Sequence, residues 1–425
     1  MGSAEANYLV PRLVLVFGCL YGIGIFIATP WASPDQLMLA TDVYLHAADQ
    51  WLAGETIYET APDHRPGYHF LYPPIVVILF VPYALIGSAT VVYGIQTVIN
   101  LGAAIATSLI VIRMLARRNV GISSADRWII VAFFVISSYS AIQFINGQVN
   151  LWLALLFAIG FDAIDRKRYR LAGVVFGAAA VIKVFPAIMG IWLLRMRALP
   201  AVFAAIGTGL GALLLGALLM GPELTTTYLV DVLLGRFEGS TFEGRPGADA
   251  GVDGIHRQLA ALWPRGSAWH TPLAILLIGG LLAAGVRRVE TSQERDIAAL
   301  ATITAILLFL PVQPLYFPLI AVPLIMWLYT LPAHRLRWLI VIGALATMFH
   351  LDQESLIVML SLLPVPTSMT DPLIGVAEMI FRVILPPTIG LWMLLLSCVW
   401  FQWGVPRTEK VTRTRTQGID LTKTN

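Results

Sequence analysis

Residues 166–197 read RKRYRLAGVVFGAAAVIKVFPAIMGIWLLRMR. Four cations, Arg166, Lys167, Arg168 and Arg170, open the stretch, and Arg195 and Arg197 close it; the apolar run between them, 171–194, carries Lys183 and Pro186 near its middle. About 20 apolar residues make one transmembrane helix, so the run is long enough for a single crossing. Lys and Arg collect in cytoplasmic loops, however, and cations at both ends place both ends on one side of a bilayer. The segment is therefore expected to be a hairpin whose apex, 183–186, reaches the outer side, with Pro186 breaking the helix at the bend.

The same reading extends along the chain. Of its 425 residues 58% are apolar and only 12% charged, with a mean hydropathy of +0.77, where soluble proteins are nearer a quarter charged. This is the composition of an all-α polytopic membrane protein, and it excludes soluble enzymes, nucleic-acid binders and disordered scaffolds. Uninterrupted candidate spans fall near 8–30, 89–112, 127–145, 148–164, 198–221, 271–286, 297–312, 315–332, 338–350 and 378–403. The run 71–87 holds Pro73, Pro74 and Pro82. Placing Arg113, Arg117 and Arg118 inside makes 89–112 run from outside to inside, so 71–87 is expected to lie along the outer face as an interfacial or re-entrant helix.

With the hairpin counted as two crossings, this predicts about twelve spans and both termini in the cytoplasm. Seven of the 28 Lys and Arg residues then fall outside: Arg65, Lys183, Arg236, Arg245, Arg257, Arg265 and Arg382. Six of the seven histidines lie at the outer side, and only His334 lies inside. The first helix is expected to remain as a span, because its apolar stretch is longer than that of a signal peptide. The tail 406–425 alternates Thr with Arg and Lys and reads as a solvated cytoplasmic end. Cys19 and Cys398 both lie in apolar runs, as small core or lipid-facing residues. The chain is read as one membrane domain, with a module at 1–197 that includes the outer loop 31–88, and a helical module at 198–405 with outer loops 222–270 and 351–377.

Long loops on a rigid scaffold are where function concentrates. In the first, a helix over 38–53 places Asp42, His46 and Asp49 on one face, a pattern suited to proton transfer; the bland alternative is a helix cap beside ordinary interfacial histidines. His46, His64 and His69 lack the spacing of a helical zinc site, so no metal and no cofactor are expected. Asn146-Gly147-Gln148-Val149-Asn150 is an amide-rich turn that either clamps itself or binds a polar ligand. An ionisable residue at membrane depth is a functional hypothesis by default, although Lys183 could instead snorkel to the headgroups. A phosphate is the ligand that justifies an ammonium there, with Arg65, His256 and Arg257 as the further outer cations of a clamp.

Taken in order, Thr41-Asp42-Val43-Tyr44, Tyr58, Leu71-Tyr72-Pro73-Pro74, Gly147-Gln148-Val149-Asn150, Leu171-Ala172-Gly173 and Ile182-Lys183-Val184-Phe185-Pro186 resemble glycosyltransferase family 87. The resemblance implies a GT-C fold and a sugar, typically mannose, carried on a polyprenyl phosphate. It implies that Asp42 is the general base and that Lys183 lies at the family's hairpin apex. Tyr44, His46, His69, Tyr72, Gln148 and Asn150 are then expected to bind substrate, and Lys183, Arg257, His256 and Arg65 the donor phosphate. Two elements depart from similar mannosyltransferases. The central loop reads Gly254-Ile255-His256-Arg257-Gln258-Leu259, and a late loop, Leu310-Pro311-Val312-Gln313-Pro314-Leu315-Tyr316, has no histidine, so Gln313 and Tyr316 are its candidate substitutes.

The expected reaction is an inverting transfer of a sugar, most simply an α-mannosyl residue, to a lipid-linked or cell-envelope glycan such as a phosphatidylinositol mannoside. It takes place on the outer, periplasmic face of the plasma membrane, with membrane lipids as surroundings. The rival is a transporter or lipid flippase, which should spread its charges through the bundle and show an inverted repeat; a non-catalytic partner of an envelope complex is the third reading.

Overall fold

The computed structural model describes residues 8–235, 242, 244–248, 254–310, 314–330, 335–361 and 366–404. Gln313, Arg236, His334 and the tail 406–425 lie outside the described residues. Within them the chain is helical and forms no strand. In order, the helices are α1 Leu9–Ala32, α2 Leu39–Ala53, α3 Val81–Ile86, α4 Ala89–Arg117, α5 Ser124–Ile136, α6 Ser138–Asn146, α7 Asn150–Asp165, α8 Tyr169–Ile182, α9 Met189–Arg195 and α10 Leu199–Met220. They continue with α11 Pro222–Thr227, α12 Ile255–Leu262, α13 Ser267–Gly285, α14 Ser292–Phe309, α15 Pro318–Thr330, α16 Arg335–Met348, α17 Gln353–Ser361, α18 Thr367–Phe381 and α19 Pro386–Gly404.

The stretch 166–197 folds as a hairpin. Gly173 of α8 abuts the backbone of Ala201, and Gly177 that of Ala205, so α8 and α10 run parallel and the intervening α9 must return. At the foot of the hairpin, Lys167, Arg168, Tyr169, Arg170 and Pro200 line one shallow cavity, which puts both basic ends together. Glycine is required at 173 and 177 because the helices touch backbone to backbone, the close approach by which small residues pack membrane helices. On its other side α10 is apolar and outward-facing, with Phe203, Leu214 and Leu218 exposed, as befits a helix bordered by lipid.

Length separates the helices into two groups. Among the described residues five are long and apolar enough to cross a membrane: Leu9–Ala32, Ala89–Arg117, Ser124–Asn146, Leu199–Met220 and Ser267–Gly285. A sixth is possible if the pair Ser368–Phe381 and Pro386–Gly404, bent by 44°, is a single broken span. The other runs read from the sequence fold as shorter apolar helices, among them Tyr169–Ile182, Pro318–Thr330 and Leu336–Met348. Within the long span Ser124–Asn146, Ser137 leaves helical geometry. Proline breaks the 71–87 run into a 3-10 turn, Pro74–Phe80, joined to the six-residue α3. That last segment packs along α2 rather than standing as a span, with Val76, Val77, Phe80 and Tyr83 buried against Tyr44 and Val92.

Charge is organised at one end of the bundle. Arg12 donates to Asp126, which also accepts from Tyr329 and, through a capping box, from Ser123. Arg118 pairs with Asp165 and Asp296, Arg117 with Asp162, and Arg295 with Asp165. A buried carboxylate is costly unless so answered, and these pairs tie α1, α4, α5, α7, α14 and α15 together. At the centre, α14 and α15 are almost wholly buried. At the opposite end a second hydrophobic cluster, Tyr44, Ile57, Tyr58, Phe70, Tyr72, Phe80 and Tyr228 among others, seats the long first loop on the bundle.

Candidate active site

Helix α2 starts at Met38, held in the left-handed region at φ 63° with its amide bonded to the carbonyl of Ile145 at 2.9 Å. The turn before α7 therefore sets where α2 begins. Gly147, at φ +68°, packs so tightly on α2 that an added Cβ would overlap Thr41 Oγ1. Asn146 completes the clamp by donating to the carbonyl of Gln36 at 2.7 Å.

Asp42 lies in the first turn of α2 and is 7% exposed. Its Oδ2 accepts from His64 Nε2 at 2.9 Å and from Arg65 Nε at 3.3 Å. Arg65 is fixed in turn by the carbonyls of Leu37, at 2.8 Å, and Asp35, so it braces the carboxylate rather than reaching outward. His64 was not among the residues singled out for the site. Its side chain is 65% exposed, and only the path of the loop from residue 54 to 69 brings it to a carboxylate 22 residues earlier. His46 and His69 meet elsewhere: His46 Nε2 lies 3.1 Å from Thr60 Oγ1, and His69 Nδ1 3.2 Å from the Thr60 carbonyl.

On the far face of α2, Tyr44 is buried and stacks on Phe80, ring centroids 4.2 Å apart. Its hydroxyl donates to Gln148 Oε1 at 3.0 Å and lies 2.7 Å from the Tyr72 hydroxyl. A phenol has one proton, so Tyr72 is the donor to Tyr44. Burial pushes the Tyr44 phenol well above its ordinary range, which keeps this chain neutral. Behind it a polar relay runs into the bundle: the Gln148 carbonyl accepts from Asn100 at 3.0 Å, Asn100 from Gln96 at 3.3 Å, and Gln96 from Tyr83 at 2.6 Å. Gln96 and Asn100 stand four residues apart in an apolar helix, a polar pair whose spacing is itself a signal in the sequence.

Lys183 caps α8 at the hairpin apex. Its Nζ lies 5.4 Å from the centroid of the Tyr72 ring and 4.5 Å from that of Tyr316, cation–π contacts worth about 0.5–2 kcal/mol each. Tyr316 is positioned by amides: Gln143 and Asn150 donate to the neighbouring Leu315 carbonyl at 2.7 and 3.0 Å, and Asn150 also donates to Gln143. Thus Tyr44, Tyr72, Gln148, Lys183 and Tyr316 form one assembly, with Asn150 as a brace beneath it. Asp42 reaches the same end from the other face of α2, because two residues on a 3.6-residue helix point about 160° apart.

The central-loop cations go elsewhere. Arg257 is buried and gives Nη2 to the carbonyls of Gly247, at 3.0 Å, Ala248, at 3.2 Å, and Phe381, fastening that loop to α18. His256 is buried edge-on to Phe309 and lies 3.4 Å from Thr271 Oγ1; burial lowers its pKa, so the ring is neutral near pH 7.

No curated protein matches the chain. The family model described as glycosyltransferase family 87 matches residues 70–314, a range that takes in Tyr72, the amide turn, Lys183 and the central loop and begins after Asp42. A match over more than half of the 425 residues, on an all-helical membrane fold, makes this chain a member of glycosyltransferase family 87.

Proposed function

We propose that the protein moves a sugar, most simply mannose, from a polyprenyl phosphate to a glycolipid or glycan acceptor at the end of the bundle that carries Asp42, and that this end faces the periplasm. The observation that carries the reading is the Lys183 ammonium lying over two tyrosine rings at a hairpin apex. A lipid-borne phosphate meets a cation at that depth, while its prenyl chain runs down between helices. The bundle's ionic network lies at the other end, and among the described residues the ion pairs gather at the ends of the bundle rather than along a transport pathway through its depth.

In this reading the family's transfer is a single displacement. The acceptor oxygen attacks the anomeric carbon, the bond from that carbon to the phosphate oxygen breaks, and the electron pair leaves with the polyprenyl phosphate, inverting the centre. Asp42 supplies the anion of the general base, the charge towards which the acceptor proton is drawn, and general-base help is worth about 10²–10⁴-fold. Lys183 answers the second negative charge that appears on the phosphate. Tyr44, Tyr72, Gln148 and Tyr316 orient the sugar, and the acceptor enters over His46 and His69. In this reading both termini are cytoplasmic, which the collection of Lys and Arg at one side supports, and the membrane is the plasma membrane.

The test is to incubate the purified protein with polyprenyl-phosphate mannose, glucose or arabinose plus a membrane lipid extract and to follow products by mass spectrometry. Mannosylated lipid is expected, formed with loss of donor. No sugar transfer from any of the three would overturn the proposed donor class.

A further inference from the structure

We propose that His64 is the residue that meets the acceptor and takes its proton, with Asp42 acting behind it; this rests on the functional reading above. Three observations carry it. Asp42 is nearly closed off, 7% exposed, whereas the His64 side chain bonded to it is 65% exposed, so the part of the pair open to an incoming hydroxyl is the imidazole. Both contacts of the carboxylate fall on Oδ2, one from His64 and one from Arg65, so its negative charge is already answered by a guanidinium tied to the Leu37 and Asp35 carbonyls. Finally, an ionised carboxylate only accepts hydrogen bonds, which fixes Nε2 as a protonated nitrogen, so the tautomer that can take a proton carries its lone pair on Nδ1.

A buried carboxylate that fixes the tautomer of an exposed imidazole is an arrangement that works in nucleophile activation, and here it acts on a sugar hydroxyl. As the acceptor oxygen bonds to the anomeric carbon, its proton passes to His64 Nδ1. The bond between that carbon and the donor oxygen breaks, and polyprenyl phosphate leaves carrying the electron pair. Asp42 stabilises the imidazolium so formed, and the exposed ring returns the proton to water. The charged side chains around the ring are Asp42 and Arg65, with Asp63 its neighbour in sequence.

The experiment compares wild type, His64→Gln and His64→Ala in sugar transfer with the donor at saturation, with thermal melts as the folding check. Gln keeps an amide N–H for Asp42 and cannot take a proton; Ala opens a space reached from solvent. Both variants are expected to melt like the wild type and to lose about 10²–10⁴-fold in kcat, with acceptor KM changing less than about threefold. Added imidazole should restore part of the His64→Ala rate and none of the His64→Gln rate. Wild-type kcat in His64→Gln, or a loss in His64→Ala that imidazole leaves unchanged, would show that His64 only braces Asp42 and overturns the proposal while the functional reading stands. If the wild type itself transfers no sugar from any polyprenyl phosphate, both fall together.

Discussion

Replacing Asp42 by Asn separates chemistry from architecture, because the two costs differ in size. The amide has the shape of the carboxylate, and its oxygen can still accept from Arg65 Nε, which stands 3.3 Å from Oδ2 in the native protein. Arg65 keeps its bond to the Leu37 carbonyl, at 2.8 Å, and to that of Asp35. What the fold loses is the charge-assisted part of two hydrogen bonds, about 1–3 kcal/mol, reduced by the exposure of His64. What the reaction loses is the anion itself, about 10²–10⁴ in rate, or about 3–5.5 kcal/mol of barrier. Initial rates in detergent or nanodiscs, with donor saturated and product quantified by mass spectrometry, should therefore fall at least a hundredfold. The apparent melting temperature should move only a few degrees, and donor affinity should stay within a few-fold. A folded Asp42→Asn protein that retains more than a tenth of the wild-type rate would refute the role given to Asp42.

Lys183→Ala removes the cation lying over Tyr72 and Tyr316; donor affinity should drop at least tenfold with little change in the melt, and an unchanged donor Kd would return Lys183 to the role of a snorkelling side chain. Gly147→Ala forces a side chain into the left-handed region and onto Thr41 Oγ1, so thermal stability should fall by about 1–3 kcal/mol; a melt like that of the wild type would show that α2 and the amide turn are not clamped as described. Gly173→Leu sets a side chain against the backbone of Ala201 and should reduce folded yield, whereas Gly207→Leu, on the same α10 with open space around it, should not. Burial lowers the pKa of His256 below its ordinary 6.5, so the unfolded chain binds a proton that the folded one refuses. Stability from this group is complete above about pH 6.5 and declines as the pH falls through it; melts from pH 8 to pH 5 should show that decline, and His256→Gln should lessen it.

The hairpin at 166–197 was legible because its signal is local: cations at both ends and a lysine beside a proline at the middle are visible in one window. The division of the other apolar runs was less so. Nothing in 127–145 but adjacent serines marks the break in helical geometry at Ser137, and hydropathy measures how apolar a run is rather than whether its helix continues through it. Within the site, residue identities could be named from the sequence, but their partners could not. Tyr44 meets Tyr72 and Gln148 across separations of 28 and 104 residues, and Leu315 is held by amides more than 160 residues away. His64 shows the limit most clearly: the sequence offers its neighbour Arg65 as a phosphate ligand, yet both side chains bond to Asp42.

These long-range bonds also decide how the site tolerates change. Helix α2 carries Asp42 on one face and Tyr44 on the other, and its start is fixed by the Ile145 carbonyl, the Asn146 amide and the Gly147 contact. The carboxylate and the tyrosine chain therefore cannot shift independently: any displacement of the amide turn moves the base and, through Gln148 and Tyr72, the aromatic surface beneath Lys183. A buried polar network is worth having only if each member is satisfied, and this one extends through Asn100 and Gln96 to Tyr83 in the bundle. Gln96→Leu, far from any substrate, leaves the Tyr83 hydroxyl and the Asn100 amide short of a partner. Its cost should be read first in the geometry of Tyr44 and the rate of transfer, because the ionic network that holds the bundle together lies at the other end.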